Sequence, residues 1–260
     1  ILAVCLIGAA AYFSRHPRVT ISAVLVEGTQ VVNAPDVEKY TFDALSGSYL
    51  RMFARSNSFI YPHQKLVDGL KIAFPRIEKI TISRDNLQVL HITIAERSGS
   101  YLYCGDKIPE KTDDVGENCY FLNTDGYIFD KAPYFSGHVY FSFYSPRTGQ
   151  PTQALGEHIL SPDLFHHMIR TVDAVTALSF KPISLVIDTD NTYTLYLDHA
   201  STDTAPYIVW KGGDDITAIL DNLSTSMATP AFAGEIKSKY SKLLYIDVRF
   251  KNKVLYKFNE

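Results

Sequence analysis

At 260 residues, with 46% hydrophobic and 20% charged side chains, the chain can bury one large core or two ordinary ones, and disorder over most of its length is excluded. A formal net charge of -3 leaves no basic surplus for neutralising phosphates, which argues against nucleic acid as a partner. Tyrosine and phenylalanine are plentiful and cluster in strand-like runs such as His138 to Tyr144, a composition suited to a β-rich fold.

The first residues, Ile1 to Phe13, are continuously apolar, and the first charge is Arg15. Thirteen helical residues reach only about 20 Å against a hydrocarbon core of about 30 Å, so a complete span would need further residues on the N-terminal side. Two readings stand: the outer half of a transmembrane anchor, or the apolar region of a secretory signal with Ala9 to Ala11 as a cleavage site. The anchor is favoured because Tyr12 is an interface-type aromatic followed by the polar flank Ser14 to Arg18, although Arg15 and Arg18 would prefer the cytoplasmic side.

A first block is expected over about Val19 to Arg97. Val19 to Gly28 reads as a strand ended by Gly28. Asn33 and Pro35 open a helix with Val37, Tyr40, Ala44 and Leu45 on one stripe, and Gly47 stops it. A loop through Ser56 and Ser58 leads to a second helix with Leu66, Leu70 and Ala73 inward, ended by Pro75. Two alternating strands follow, joined at Asp85-Asn86. The order β-α-α-β-β predicts a three-stranded sheet with both helices on one face.

The second block, from about Gly99, is read as β-rich. Cys104 and Cys119 bracket a polar loop between two short aromatic strands, which suggests a disulfide across a hairpin in an oxidising compartment. Two unpaired thiols or zinc are the alternatives. Next come a hairpin around Thr124-Asp125-Gly126, a strand over Val139 to Tyr144, and a helix capped by Ser161 with Leu164, Met168, Val172 and Val175 inward. Asp188 to Thr192 reads as the turn of another hairpin. Gly212-Gly213 leads into a helix capped by Asp214, with Ile216, Ile219, Leu220 and Leu223 inward. At the end, Leu244, Ile246, Val248 and Phe250 share one strand face, Tyr245, Asp247, Arg249 and Lys251 the other. Asn252-Lys253 turns into a returning strand through Val254, Tyr256 and Phe258.

Four stretches carry a resemblance. Val24 to Gly28 ("VLVEG") and Phe74 to Arg97 ("FPRIEKITISRDNLQVLHITIAER") resemble the POTRA domain of the bacterial cell-division proteins FtsQ and DivIB. "LNTDGYIF", Leu122 to Phe129, resembles a signature of that family's second domain, with Asn123 replacing the usual acidic residue. "YIDVRFKNKVLYKF", Tyr245 to Phe258, looks like its terminal hairpin. The chain departs from the pattern at Ser98, where Pro often follows the Glu-Arg pair, and in the long Arg51 to Tyr61 loop.

The resemblance implies an α+β protein: a partial transmembrane anchor over residues 1–18, a POTRA domain over 19–98, and a β-domain with a terminal hairpin over 99–260. It implies a single-pass inner-membrane protein with its bulk extracytoplasmic, acting as a non-enzymatic scaffold of the divisome and needing no cofactor. Its partners would be FtsB (DivIC)-like and FtsL-like single-span coiled-coil proteins, bound by strand addition at the C-terminal edge. The residues matching the family's contact positions are Arg249, Phe250, Val254, Leu255, Tyr256, Lys257 and Phe258, with Lys211 as a basic neighbour. Phe250 stands where Tyr is frequent, so packing but not a phenolic hydrogen bond carries over.

Other chemistry is weakly signalled. His158, His166 and His167 invite a metal, and with it an exported cell-wall hydrolase. No H-E-x-x-H pattern accompanies them, and a solvated helix face explains His166 and His167. Asp188 to Thr192 begins like a calcium loop but has Tyr193 where Gly is needed and His199 where Glu is needed. His91 alternates with Leu90 and Ile92 and reads as an outward-facing strand residue. A single-POTRA outer-membrane assembly factor is a further reading.

Overall fold

Glu96 anchors the first of two compact units, Ile1–Ser98 and Gly99–Glu260, into which the chain divides in this computed structural model. The structure describes residues 1–108, 118–146, 154–199, 205–213, 216–250 and 253–259. Most of the Cys104–Cys119 loop, the Asp214 cap, Lys251 and the Asn252 turn position lie outside them.

The first unit runs α1 (Leu2–Ser14), a 3-10 turn (Pro17–Val19), β1 (Ala23–Glu27), α2 (Ala34–Leu45), β2 (Ser48–Tyr49), β3 (Phe53–Ala54), α3 (His63–Ala73), β4 (Ile77–Arg84) and β5 (Val89–Glu96). The β-α-α-β-β core has strand order β1-β5-β4, with β5 parallel to β1 and antiparallel to β4. Alternation places Leu90, Ile92 and Ile94 of β5 against Val37 and Leu45 of α2 and Leu66 and Leu70 of α3 in one buried cluster. The expected inward Ala73 is instead exposed. Phe74 takes its place, edge-on to Tyr40 with ring centroids 6.1 Å apart. Gly28 is required where it stands: its φ is 83°, and a Cβ there would strike the Ile94 carbonyl.

Two features of this unit were not foreseen. The short β2–β3 hairpin turns at Leu50 to Met52 and places β3 inside the expected Arg51 to Tyr61 loop. The last turn of α1 is also tied to that hairpin region, with Ala54 N–H donating to Ser14 Oγ at 3.3 Å and Asn57 Nδ2 to the Ser14 carbonyl at 3.0 Å. Residues 1–18 thus belong to the first unit. α1 is 13 residues long, and among the described residues no helix is long and apolar enough to cross a membrane. The transmembrane remnant expected from the sequence is therefore unsupported by the fold. On the sheet's outward face, His91 lies between two carboxylates, 3.1 Å from Glu27 and 3.6 Å from Asp85.

The second unit contains β6 (Tyr101–Tyr103), β7 (Tyr120–Leu122), β8 (Ile128–Lys131), β9 (Ser142–Tyr144), α4 (Pro162–Ala177), β10 (Pro182–Ile187), β11 (Thr192–Leu197), β12 (Tyr207–Lys211), α5 (Ile216–Ala228), α6 (Pro230–Ser238), β13 (Leu243–Phe250) and β14 (Lys253–Phe258). The strands form one nine-stranded sheet in the order β14-β13-β12-β11-β10-β9-β6-β7-β8. α4, α5 and α6 cover one face: Phe165, Met168, Val175, Ile219, Leu223 and Ile236 join Leu185, Leu195, Ile208 and Ile246 in a single core. Cys104 and Cys119, bonded to each other, lie on the opposite face near Leu102, Phe121 and Tyr140.

Three expectations shift here. The strand foreseen from Val139 begins only at Ser142. α4 buries Phe165, Met168, Thr171 and Val175, so Leu164 and Val172 lie toward the margin; Phe165 can turn inward because Gly126, at φ 76°, leaves room for its ring. α6 had no counterpart in the sequence reading.

Glu96 has a long reach for a single side chain. Its carboxylate accepts the backbone N–H groups of Gln30 (2.6 Å), Val31 (3.0 Å) and Val32 (2.9 Å) and the Arg76 guanidinium (2.9 Å), tying the β1–α2 connection to the end of β5. Desolvation pushes this carboxyl upward, but the three N–H donors and Arg76 outweigh it and hold the group below its ordinary value of 4.5. Its stabilising contribution is therefore whole above that value and is lost as pH falls through the lower folded-state value. Glu96→Gln should cost about 2 kcal/mol at neutral pH and flatten the acid limb of stability, as read by urea unfolding at neutral and acidic pH. In the second unit, Cys104→Ser/Cys119→Ser should cost roughly 3 kcal/mol in the chain-entropy picture and lower the unit's thermal midpoint, an effect that a reductant reproduces on the unaltered chain.

Candidate partner-binding edge

β13 is built from a sequence that satisfies two environments. Ile246 and Val248 enter the core, but register shifts between Leu243 and Tyr245 and between Asp247 and Phe250 break the expected alternation. Leu243 is buried in place of Leu244, and Phe250, expected inward, is 47% exposed. On the face that carries no helix, Tyr245 stacks on Tyr207 of β12 at 5.8 Å, and Tyr207 meets Tyr196 of β11 at 5.7 Å. Lys257 of β14 continues that row in register with Tyr245.

The sequence reading placed Asp247 on the strand face opposite Ile246 and Val248, with Tyr245, Arg249 and Lys251. Asp247 is buried, in register with Val209 on one side and Leu255 on the other, two apolar neighbours that keep water from its flanks. Arg249 supplies what water would: its backbone N–H (3.0 Å), Nε (2.9 Å) and Nη2 (2.6 Å) all donate to the Asp247 carboxylate. Burial pushes the Asp247 carboxyl upward, and the Arg249 hydrogen bonds more than reverse that, leaving it below the ordinary carboxylate range.

β14 is an outermost strand of the nine, and β13 is its one strand neighbour among the described residues. Asn259 N–H donates to the Lys242 carbonyl. With a period of two, Leu255 and Lys257 turn their backbone groups toward β13 as well, while Val254, Tyr256 and Phe258 turn theirs outward. Both register shifts insert the extra residues in β13, so this alternation holds along all of β14. The opposite margin of the sheet differs. There the segment Gly156 to Ile159 closes on β8 and the turn before it, through Ile128 N–H to Glu157 O (2.8 Å), Gly156 N–H to Ile128 O (2.8 Å) and Ile159 N–H to Gly126 O (3.0 Å).

The side chains of β14 divide between the two faces. Val254 and Phe258 pack against the core, and Lys239 sits 5.4 Å over the Phe258 ring. The Tyr256 hydroxyl donates to Glu235 at 2.8 Å, and its ring meets Phe232 edge-on at 5.1 Å. Leu255 and Lys257 are exposed on the other face. Lys211, at the end of β12, is engaged by Asp190: its Nζ lies 2.7 Å from the carboxylate and 3.0 Å from the carbonyl, and with Thr192 it holds Asp190 at about 2.

The histidines do not assemble. His166 Nε2 faces Asp125 at 3.1 Å, and the His158 ring lies edge-on to Tyr127 at 5.1 Å. No group of three His, Cys, Asp or Glu among the described residues could hold a metal ion. The tyrosine row and the burial of Asp247 escaped the sequence reading. The alternation of Tyr196, Tyr207 and Tyr245 with apolar residues was visible, but their alignment depends on pairings that sequence spacing does not fix.

Arg249→Ala should remove about 2 kcal/mol despite the partial exposure of this side chain, because it strands a buried carboxylate. Lys257→Ala, fully on the surface, should change stability by less than about 0.5 kcal/mol, and urea unfolding compares the two. No protein-family model matches the chain, and no curated protein matches it.

Proposed function

We propose that the chain is a non-enzymatic scaffold that captures a partner protein by adding the partner's extended segment to β14. The carrying observation is the asymmetry of the nine-stranded sheet: the β8 margin is closed by the chain's own backbone, whereas the outward donors and acceptors of Val254, Tyr256 and Phe258 meet no backbone among the described residues. A strand of this kind takes another chain by main-chain hydrogen bonding, with neighbouring side chains setting specificity.

The motifs that resemble FtsQ and DivIB give this edge a context: a divisome component at the extracytoplasmic face of the inner membrane, recruiting FtsB (DivIC)-like and FtsL-like single-span coiled-coil proteins. One further feature supports that setting: the Cys104–Cys119 bond fits an oxidising compartment.

On this reading Val254 and Phe258 contribute backbone, because their side chains serve the core, while Leu255 and Lys257 contact the partner on the helix-free face. Arg249 and Phe250 flank the start of the edge. Tyr256→Pro should delete an outward donor without breaking a bond to β13 and lower affinity at least about tenfold, whereas Tyr256→Phe keeps the donor and the affinity. The measurement is capture of single-span coiled-coil division proteins by the purified chain. Equal capture by Tyr256→Pro and the unaltered chain rules out strand addition at β14.

A further inference from the structure

Leu50 and Arg51, consecutive residues at the tip of the β2–β3 hairpin, have φ of 49° and 59°, a left-handed conformation rarely adopted outside Gly, Asn and Asp. Burial does not offset the strain: Leu50 is 82% exposed and Met52, the third tip residue, 38%. Strained backbone that holds apolar side chains out in solvent is a feature of contact sites.

The tip belongs to a surface shared with α1. Arg15 Nη2 donates to the Arg51 carbonyl at 3.0 Å. Between helix and hairpin lies an open cleft of about 430 Å³ lined by Ala11, Tyr12, Arg15, His16, Arg51 and Met52. Its walls are largely apolar, and Arg15 and Arg51 are both among the residues that line it. Tyr12 and Phe13 are exposed beside it. The local charge is one-sided: residues 1–26 and 44–67 contain Arg15, Arg18, Arg51, Arg55 and Lys65 and no Asp or Glu, in a chain whose net charge is -3.

We propose that the Leu50–Met52 tip and the Arg15–Arg51 cleft form a membrane-surface foot that binds acidic phospholipid. Lipid phosphates pair with the two guanidinium groups, and Leu50 and Met52 enter the acyl boundary alongside the exposed apolar side chains of α1. An acidic peptide would satisfy the arginines but leave the apolar tip and helix end in water. A bilayer with acidic headgroups meets both demands. This proposal does not depend on partner capture at β14, which lies in the other unit.

The test titrates the full chain with phosphatidylcholine vesicles, with and without phosphatidylglycerol, at low and high salt. The unaltered chain should bind the acidic vesicles about 25-fold more tightly, two cations at the surface each adding roughly fivefold, and high salt should remove the difference. Arg15→Gln/Arg51→Gln should bind both vesicles alike; Arg15→Glu/Arg51→Glu, which adds repulsion from the acidic headgroups, should bind the acidic vesicles no more tightly than the neutral ones. Leu50→Asn, tolerated at a left-handed position, should weaken vesicle binding without lowering the thermal midpoint. Equal binding of the unaltered chain to both vesicle types, an acidic preference that survives loss of the two arginines, or an unchanged affinity in Leu50→Asn overturns the proposal. Competition by millimolar inorganic phosphate overturns it in favour of a free-anion site, and competition by an acidic peptide in favour of a protein partner.

Discussion

The pairing of β13 with a parallel neighbour on one side and an antiparallel one on the other is the constraint from which the carboxyl-terminal architecture follows. A parallel neighbour cannot be reached through a tight turn, so the chain must leave β12, cross a face of the sheet and return. α5 and α6 make that crossing, and their inward residues Ile219, Leu223 and Ile236 clothe one face. Having returned on β13, the chain has an open flank beside it, and the short hairpin to β14 occupies that flank. The same logic operates between β9 and β10, which are parallel and separated by α4. One pairing choice thus accounts for the helix-covered face, the tyrosine-lined face and the identity of the margin strand.

What was legible in the sequence was local. α2 and α3 were visible because their apolar residues recur at helical spacing, and the β4–β5 hairpin because its strands alternate around Asp85-Asn86. The β2–β3 hairpin was invisible for a physical reason: its tip uses Leu50 and Arg51 where Gly or Asn would normally announce a left-handed turn. On β13, alternation named Ile246 and Val248 correctly but failed at both ends, because each register shift moves every following residue to the other face. The inward turn of Phe165 on α4 depends on space left by Gly126, far earlier in the chain, and no periodicity within the helix records that.

The candidate site was legible as a strand and opaque as a surface. Arg249, Lys211 and the carboxyl-terminal aromatics were all identifiable, but their obligations within the fold were not. Arg249 read as a partner-contact position, yet Asp247 claims its guanidinium because Val209 and Leu255 exclude water from that carboxylate. Lys211 is likewise engaged by Asp190. Tyr256 and Phe258 read as exposed anchors, and both are held from the α6 side, by Glu235 with Phe232 and by Lys239. Sequence spacing shows which residues share a face; which of them are already engaged depends on strand order across the sheet.

These internal commitments change what β14 can offer a visitor. Charge is scarcer there than the sequence suggests, because on β14 itself the exposed cations are Lys253 and Lys257. Order is more abundant: side chains fixed against α6 hold the strand extended before anything binds, so little conformational entropy remains to be lost on association. A partner that relied on ion pairing would have to displace Asp247 from Arg249 and expose a buried carboxylate, at a cost that surface attraction would not offset. A partner that relied on its backbone would meet outward donors and acceptors already aligned along Val254, Tyr256 and Phe258. The physical bias at this margin therefore favours recognition by extended main chain and apolar contact, with the lysines setting the rate of encounter more than the strength of the complex.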